Sequence, residues 1–97
     1  MEYIIKITNN KIILPSRGYF KKGDTGESIA IISSFLACNF MGYESKINVP
    51  INKMLGDYFG NNLELWIKEF QRNNDLTPDG CIGSITLQKL RDYGLSL

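Results

Sequence analysis

Residues 65–90 read LWIKEFQRNNDLTPDGCIGSITLQKL, a segment with a helical pattern and a strong turn signal. Its first part continues an apolar stripe at helical spacing, which predicts a helix over residues 61–74. Residues 77–80 read TPDG, in which proline fixes φ and glycine tolerates positive φ, so we expect a turn there. A further helix is predicted over about residues 84–94. Its core-facing side chains are expected to be Leu87, Leu90, Tyr93 and, in part, Ile85.

The rest of the chain predicts one more helix and a short β-hairpin. We expect a helix from a capping box at residues 24–27 to Gly42. Its apolar face consists of Ile29, Ile32, Phe35, Leu36 and Phe40. Residues 3–14 hold two β-branched runs around a pair of asparagines, which predicts a hairpin. The fold class is therefore mainly α, a compact bundle of three helices with an N-terminal β-hairpin. Residues 1–21 form the hairpin and linker, and residues 22–97 form the helical domain.

The two later helices share a sequence pattern at their entrances. The pattern is an apolar residue, a glycine and a polar helix start, found as Phe59, Gly60, Asn61 and again as Ile82, Gly83, Ser84. In each copy we expect the apolar residue to fill the core and the glycine to permit a tight turn, which leaves helix amides open toward the loop. Asn61 and Glu64 have the spacing of a capping box. The repetition indicates one supersecondary unit used twice.

The composition argues against catalysis. Eleven basic and ten acidic residues leave a net charge of +1, and histidine is absent. Without histidine, Ser–His triads, Cys–His pairs and most zinc sites are removed. We therefore expect no catalytic residue, no metal site and no cofactor. Cys38 and Cys81 lie among apolar residues and are expected to be buried, and a disulfide between them stays open.

Several residues of the 65–90 segment carry a family resemblance. The matching positions are Phe70, Gln71, Leu76, Asp79, Gly80, Ile82, Gly83, Thr86 and Leu90. Together they resemble the peptidoglycan-binding-like domain, over about residues 22–94 of the chain. The first loop departs from the family pattern, since Gly56-Asp57 reverses the usual order and Leu63 replaces a threonine. The resemblance implies a three-helix module that binds the bacterial cell wall without chemistry of its own.

The resemblance and the repeat together suggest where the ligand binds. The expected ligand is peptidoglycan or a muropeptide, lying along the rim of the two helix entrances. Candidate contacts are Tyr58, Asn61, Asn62, Gln71 and Arg72, which either bind sugar hydroxyls and stem-peptide carboxylates or form a solvated rim. Tyr58 either stacks on a sugar ring or lies exposed. Asp79 and Thr86 are expected to organise the second loop through local hydrogen bonds.

Partners and localisation follow from the same resemblance. The module would target a catalytic hydrolase domain or subunit, such as that of a phage endolysin in cell lysis, to the wall. A phage or bacterial adaptor that binds another protein through these helices is the alternative. The basic residues are scattered, which disfavours nucleic acid, and no apolar run approaches the ~20 residues that cross a bilayer. The N-terminus lacks a signal-peptide pattern, so we expect cytoplasmic synthesis with phage-type release, or excision from a longer chain.

Overall fold

The computed structural model describes residues 12–96 of the 97-residue chain. In chain order its elements are β1 Tyr19–Phe20, α1 Glu27–Asn39, α2 Tyr43–Lys46, α3 Ile51–Met54, α4 Asn61–Asn73, β2 Ile82–Gly83 and α5 Ser84–Asp92. The mainly helical class is confirmed, and the long helices α1, α4 and α5 are the three that the sequence predicts. The short helices α2 and α3 are single turns within the connection from α1 to α4.

The strands of the described chain form one small antiparallel sheet. β1 pairs with β2 so that Tyr19 lies opposite Gly83 and Phe20 lies opposite Ile82. This pairing attaches the segment before α1 to the entrance of α5, far along the chain. The hairpin predicted over residues 3–14 lies mostly outside the described residues, and residues 12–14 carry no strand.

The buried core lies among the three long helices and the two helix entrances. Its largest fully buried apolar side chains are Trp66, Phe59, Phe70, Ile29, Ile32, Leu36, Leu63, Ile67, Ile82 and Leu90. Each contributes about 1.5–3 kcal/mol relative to an exposed position. The indole N–H of Trp66 also donates to the carbonyl oxygen of Val49 at 3.1 Å. That hydrogen bond fastens the α2–α3 connection to the middle of α4.

The capping box predicted at the start of α1 is wrong. The helix begins after Gly26 and has no side-chain cap. The carboxylate of Asp24 is used elsewhere, since it accepts the backbone N–H of Lys21 at 2.9 Å and pairs with the guanidinium of Arg17. Burial raises the pKa of Asp24, but the hydrogen bonds and charges of Arg17 and Lys21 outweigh it and lower the pKa. Asp24 therefore closes the preceding turn rather than the helix.

Four other sequence-based expectations fail at the edges of the helices. Asn61 does not cap α4, which begins after Gly60 without a capping side chain. Gly42 precedes α2 and does not close α1. Cys38 is exposed rather than buried. Ile85 and Tyr93 are largely exposed, because α5 buries a narrower stripe than its sequence pattern suggests.

A buried carboxylate connects α4 to α2. Glu69 lies in α4 and is buried. Its Oε2 lies 2.7 Å from Nζ of Lys46 and accepts a hydrogen bond from Nδ2 of Asn73 at 3.1 Å. Arg72 approaches the other oxygen at 3.4 Å. The hydrogen bond from Lys46 lowers the pKa of Glu69 against the opposing effect of burial. The ionised form is therefore favoured in the folded protein.

We expect this carboxylate to make stability fall on acidification. A folded-state pKa below the usual value of 4.5 gives a contribution that is complete above that pH and is lost as the pH falls through the folded pKa. The Glu69→Gln variant should lose about 1.5–3 kcal/mol at pH 7, because its hydrogen bond with the Lys46 ammonium loses its charge, and it should show a smaller further loss on acidification than wild type. Urea unfolding at several pH values measures this. Asp92→Asn, which changes an exposed carboxylate, is the control, and identical pH profiles for wild type and Glu69→Gln would refute the assignment.

Candidate functional site

The two helix entrances have the same backbone geometry. Gly60 has φ −102° and ψ −170°, and Gly83 has φ −95° and ψ −167°. The residue before each glycine, Phe59 or Ile82, is fully buried. The sequence repeat is thus a structural repeat. Neither glycine has the positive φ expected of a tight turn, and the left-handed glycine of the second loop is Gly80, with φ +79°.

One segment of the chain, residues 19–26, borders both entrances. Its first part is β1, which pairs with β2 before α5. Farther along, the N–H of Gly23 donates to the carbonyl oxygen of Phe59, and the N–H of Phe59 donates to the carbonyl oxygen of Asp24, both at 2.8 Å. The apolar residues that fill the core at the two entrances are therefore held by a single short stretch of backbone.

A groove of about 420 Å³ lies at the entrance of α4, lined by residues 53–58 and 60–63. We call it the Tyr58 groove. The Tyr58 side chain is 58% exposed, and its ring lies against Gly60, where an added Cβ would be 3.1 Å from Cε2. Oδ1 of Asn61 accepts a hydrogen bond from Nζ of Lys22 at 2.9 Å, and Nδ2 of Asn62 donates one to the carbonyl oxygen of Lys53 at 3.2 Å. Three of the five predicted ligand contacts thus share one groove.

A larger groove of about 710 Å³ lies at the entrance of α5, and we call it the Tyr19 groove. Its lining residues are Gly18, Tyr19, Lys21, Gln71, Asp75, Leu76, Thr77, Asp79, Cys81, Gly83, Ser84, Ile85 and Thr86. Sequence reasoning missed Tyr19, Lys21 and Ile85 as site candidates. The alternation at residues 19–21, in which Phe20 is buried between two exposed neighbours, is visible only in the structure, because Tyr19 and Phe20 are both aromatic in the sequence.

Gln71 organises the loop that forms one wall of the Tyr19 groove. The sequence predicts it as a ligand contact, but its side chain is only 1% exposed. Its Oε1 accepts the N–H of Gly80 at 2.9 Å, and its Nε2 donates to the Cys81 carbonyl oxygen at 2.9 Å. Nε2 also lies 3.1 Å from both Oδ1 of Asp79 and Oγ1 of Thr86. The side-chain amide of Gln71 is therefore already hydrogen-bonded within the protein, mainly to the loop.

Arg72 lies away from the Tyr58 groove. It follows Asn61 by eleven residues on α4, which is about 16 Å along the helix axis. Its guanidinium approaches Glu69 at 3.4 Å, and it lines neither groove. The structure therefore brings Tyr58, Asn61 and Asn62 together and places Arg72 at the far end of the same helix.

The grooves offer binding groups rather than an activated nucleophile. Burial raises the pKa of the Cys81 thiol, and the nearby carboxylates of Asp79 and Glu64 raise it further, so at neutral pH the thiol is protonated and a weak nucleophile. Cys38 and Cys81 are both free. Residues 12–96 contain no group of three His, Cys, Asp or Glu side chains that could hold a metal ion. In the same range no helix is long and apolar enough to span a bilayer.

A family model matches the chain. The family model described as "Putative peptidoglycan binding domain" matches residues 25–90, about two thirds of the chain. No curated protein and no solved structure matches the chain. The matched region includes α1, α4, most of α5 and both helix entrances, while β1 lies before it.

Proposed function

The chain belongs to the peptidoglycan-binding domain family, and we propose that it is a non-catalytic module that holds a cell-wall hydrolase, such as a phage endolysin, against its substrate. The family match supports peptidoglycan binding and action at the bacterial cell wall. The observation that carries the proposal is that this match spans both helix entrances, where the two grooves lie. The partner of such a module would be a catalytic domain or subunit.

The Tyr58 groove is the proposed contact surface for the glycan. Among the described residues, the Tyr58 side chain forms no hydrogen bond that would hold its ring away from a ligand. More than half of the surface of Tyr58 is exposed to solvent. An aromatic ring with a free face and a hydroxyl suits a sugar, which presents both C–H and O–H groups. Asn61 and Asn62 add amide donors and acceptors beside it. This mixture of apolar and polar groups is typical of small-ligand sites.

Gln71 and Arg72 are left out of the proposed surface. The amide of Gln71 is buried and bonded within its loop, so contact with a ligand would require the loop to open. Arg72 is paired with Glu69. A ligand in the Tyr58 groove would have to extend the length of α4 to meet it.

We expect Tyr58→Ala to weaken binding to purified sacculi by about 3- to 10-fold without unfolding the domain. A contact that competes with water contributes about 0.5–1.5 kcal/mol, and 1.4 kcal/mol corresponds to tenfold in affinity. Co-sedimentation over a range of protein concentrations measures the change. The turbidity of the sacculi should stay constant throughout, because the module is proposed to have no hydrolytic activity.

Two variants serve as controls for this prediction. Tyr58→Phe keeps the ring and should bind nearly as wild type if stacking is the main contribution. Met41→Ala changes an exposed apolar side chain outside both grooves and should have no effect. Wild-type protein that fails to sediment with sacculi would contradict the proposed function. Full binding by folded Tyr58→Ala would contradict only the choice of surface.

A further inference from the structure

We propose that the Tyr19 groove is a second binding site for the same wall polymer, so that one domain holds two repeat units of a single strand. This inference rests on the proposed function. The Tyr19 groove is the larger of the two, and part of its wall comes from β1, which precedes the region matched by the family model. The two grooves have similar chemistry and are joined by one short segment of the chain.

Each groove has a tyrosine placed against the glycine of a helix entrance. In one, the Tyr58 ring lies against Gly60. In the other, Tyr19 lies opposite Gly83 in the sheet, with its Cβ 3.9 Å from the position of an added glycine Cβ. The two glycines have nearly identical φ and ψ. Each helix entrance therefore has a tyrosine near its glycine, supplied by the repeated segment itself in the Tyr58 groove and by β1 in the Tyr19 groove.

The remaining chemistry of the grooves is also matched. Each groove has an exposed aliphatic side chain, Leu55 at 47% in one and Ile85 at 71% in the other. Each also has a lysine and at least one aspartate in its lining. Ligands that combine apolar C–H surfaces, hydroxyls, amides and charges of both signs suit such a lining. The sugar and stem-peptide repeat of peptidoglycan is a polymer of this kind, and the same unit recurs along it.

Tyr19 is held in place before any ligand arrives. The guanidinium carbon of Arg17 lies 5.4 Å from the centre of its ring, and Nε of Arg17 donates to the Tyr19 carbonyl oxygen at 2.9 Å. Arg17 is fixed in turn by its ion pair with Asp24. Tyr19 is still 38% exposed. A side chain that is already ordered loses less conformational entropy on binding, which favours affinity.

The two grooves are connected through neighbouring residues of the chain. Lys21 lines the Tyr19 groove, and Nζ of Lys22 is bonded to Asn61 in the lining of the Tyr58 groove. Because β1 pairs with the α5 entrance and the residues that follow it bond to the α4 entrance, the spacing between the grooves is fixed. A strand that occupies both binds its second unit intramolecularly, at a high effective concentration.

The test compares soluble peptidoglycan fragments with one and with two disaccharide-peptide units. We expect isothermal titration calorimetry to give two weak sites per domain for the short fragment. The long fragment should give one site that is at least ~10-fold tighter. Either Tyr19→Ala or Tyr58→Ala should abolish that gain and leave a single weak site for the short fragment.

Ile85→Ser keeps the test independent of folding, because it alters an exposed side chain of the Tyr19 groove without touching the sheet. It should weaken binding of the long fragment, and Met41→Ala should not. The proposal is overturned if folded Tyr19→Ala and Ile85→Ser both bind the long fragment as tightly as wild type while Tyr58→Ala does not. That result would leave the proposed function intact. Wild-type protein that binds neither sacculi nor either fragment would overturn both.

Discussion

The Gly80→Ala variant should lose about 2–3 kcal/mol of the free energy of unfolding, with a melting temperature lower by about 10–20 °C. Gly80 has φ +79°, a conformation that costs a residue with a side chain about 1–2 kcal/mol. An added Cβ would also lie 2.7 Å from Cγ of Glu64 and 3.1 Å from Cε of Lys68. Both side chains would have to move. Thermal unfolding followed by circular dichroism measures the loss.

Gly83→Ala is the matched control, because it makes the same change three residues later. Gly83 has φ −95°, which any residue adopts, and an added Cβ would come no closer than 3.8 Å to a non-neighbouring atom. We expect this variant to be as stable as wild type or more stable by about 0.5 kcal/mol, since alanine restricts the unfolded chain. Equal melting temperatures for the two variants would show that neither φ nor the close approach limits residue 80.

The limits of α4 and α5 could be predicted from the sequence, but the helix caps could not. α4 and α5 carry strong apolar periodicity and are separated by a proline-glycine turn, and their observed ranges, Asn61–Asn73 and Ser84–Asp92, agree with the prediction. A cap depends on which partner a polar side chain chooses. Asp24 has the right spacing for a cap, yet it bonds to Lys21 and Arg17 instead. The spacing of residues in the sequence does not show which of several possible partners a polar side chain will bond.

The candidate site could be predicted only where its residues are close together in sequence. Tyr58, Asn61 and Asn62 fall within five positions of one another and share a groove. Gln71 and Arg72 are neighbours too, but consecutive helical residues point about 100° apart. Gln71 is therefore buried against the second loop, and Arg72 faces Glu69. The wall of the Tyr19 groove depends on a pairing between β1 and β2, and no local pattern reports a contact so distant in sequence.

The Gln71→Leu variant should lose about 2–4 kcal/mol, because the loop would keep its polar groups without their partner and the apolar side chain would not replace those hydrogen bonds. The buried N–H of Gly80 and the partly buried carbonyl oxygen of Cys81 both bond to the Gln71 amide, and a buried group left unpaired costs about 1–3 kcal/mol. Gln88→Leu is the control, since Gln88 is exposed and bonds only Asp92 among the described side chains. Urea unfolding measures both variants, and the control should stay within about 0.5 kcal/mol of wild type.

Because Gln71 and Gly80 stabilise the same turn, the losses in the free energy of unfolding caused by the two substitutions should not add. Once the Gln71 amide is gone, the N–H of Gly80 has lost its acceptor and the loop can relax away from the strained backbone that an alanine would impose. The double variant Gln71→Leu, Gly80→Ala should therefore be more stable than the sum of the two losses implies, by about 0.5–3 kcal/mol. Strict additivity would mean that the left-handed backbone at residue 80 is maintained by contacts other than the Gln71 amide, such as its packing against Glu64 and Lys68.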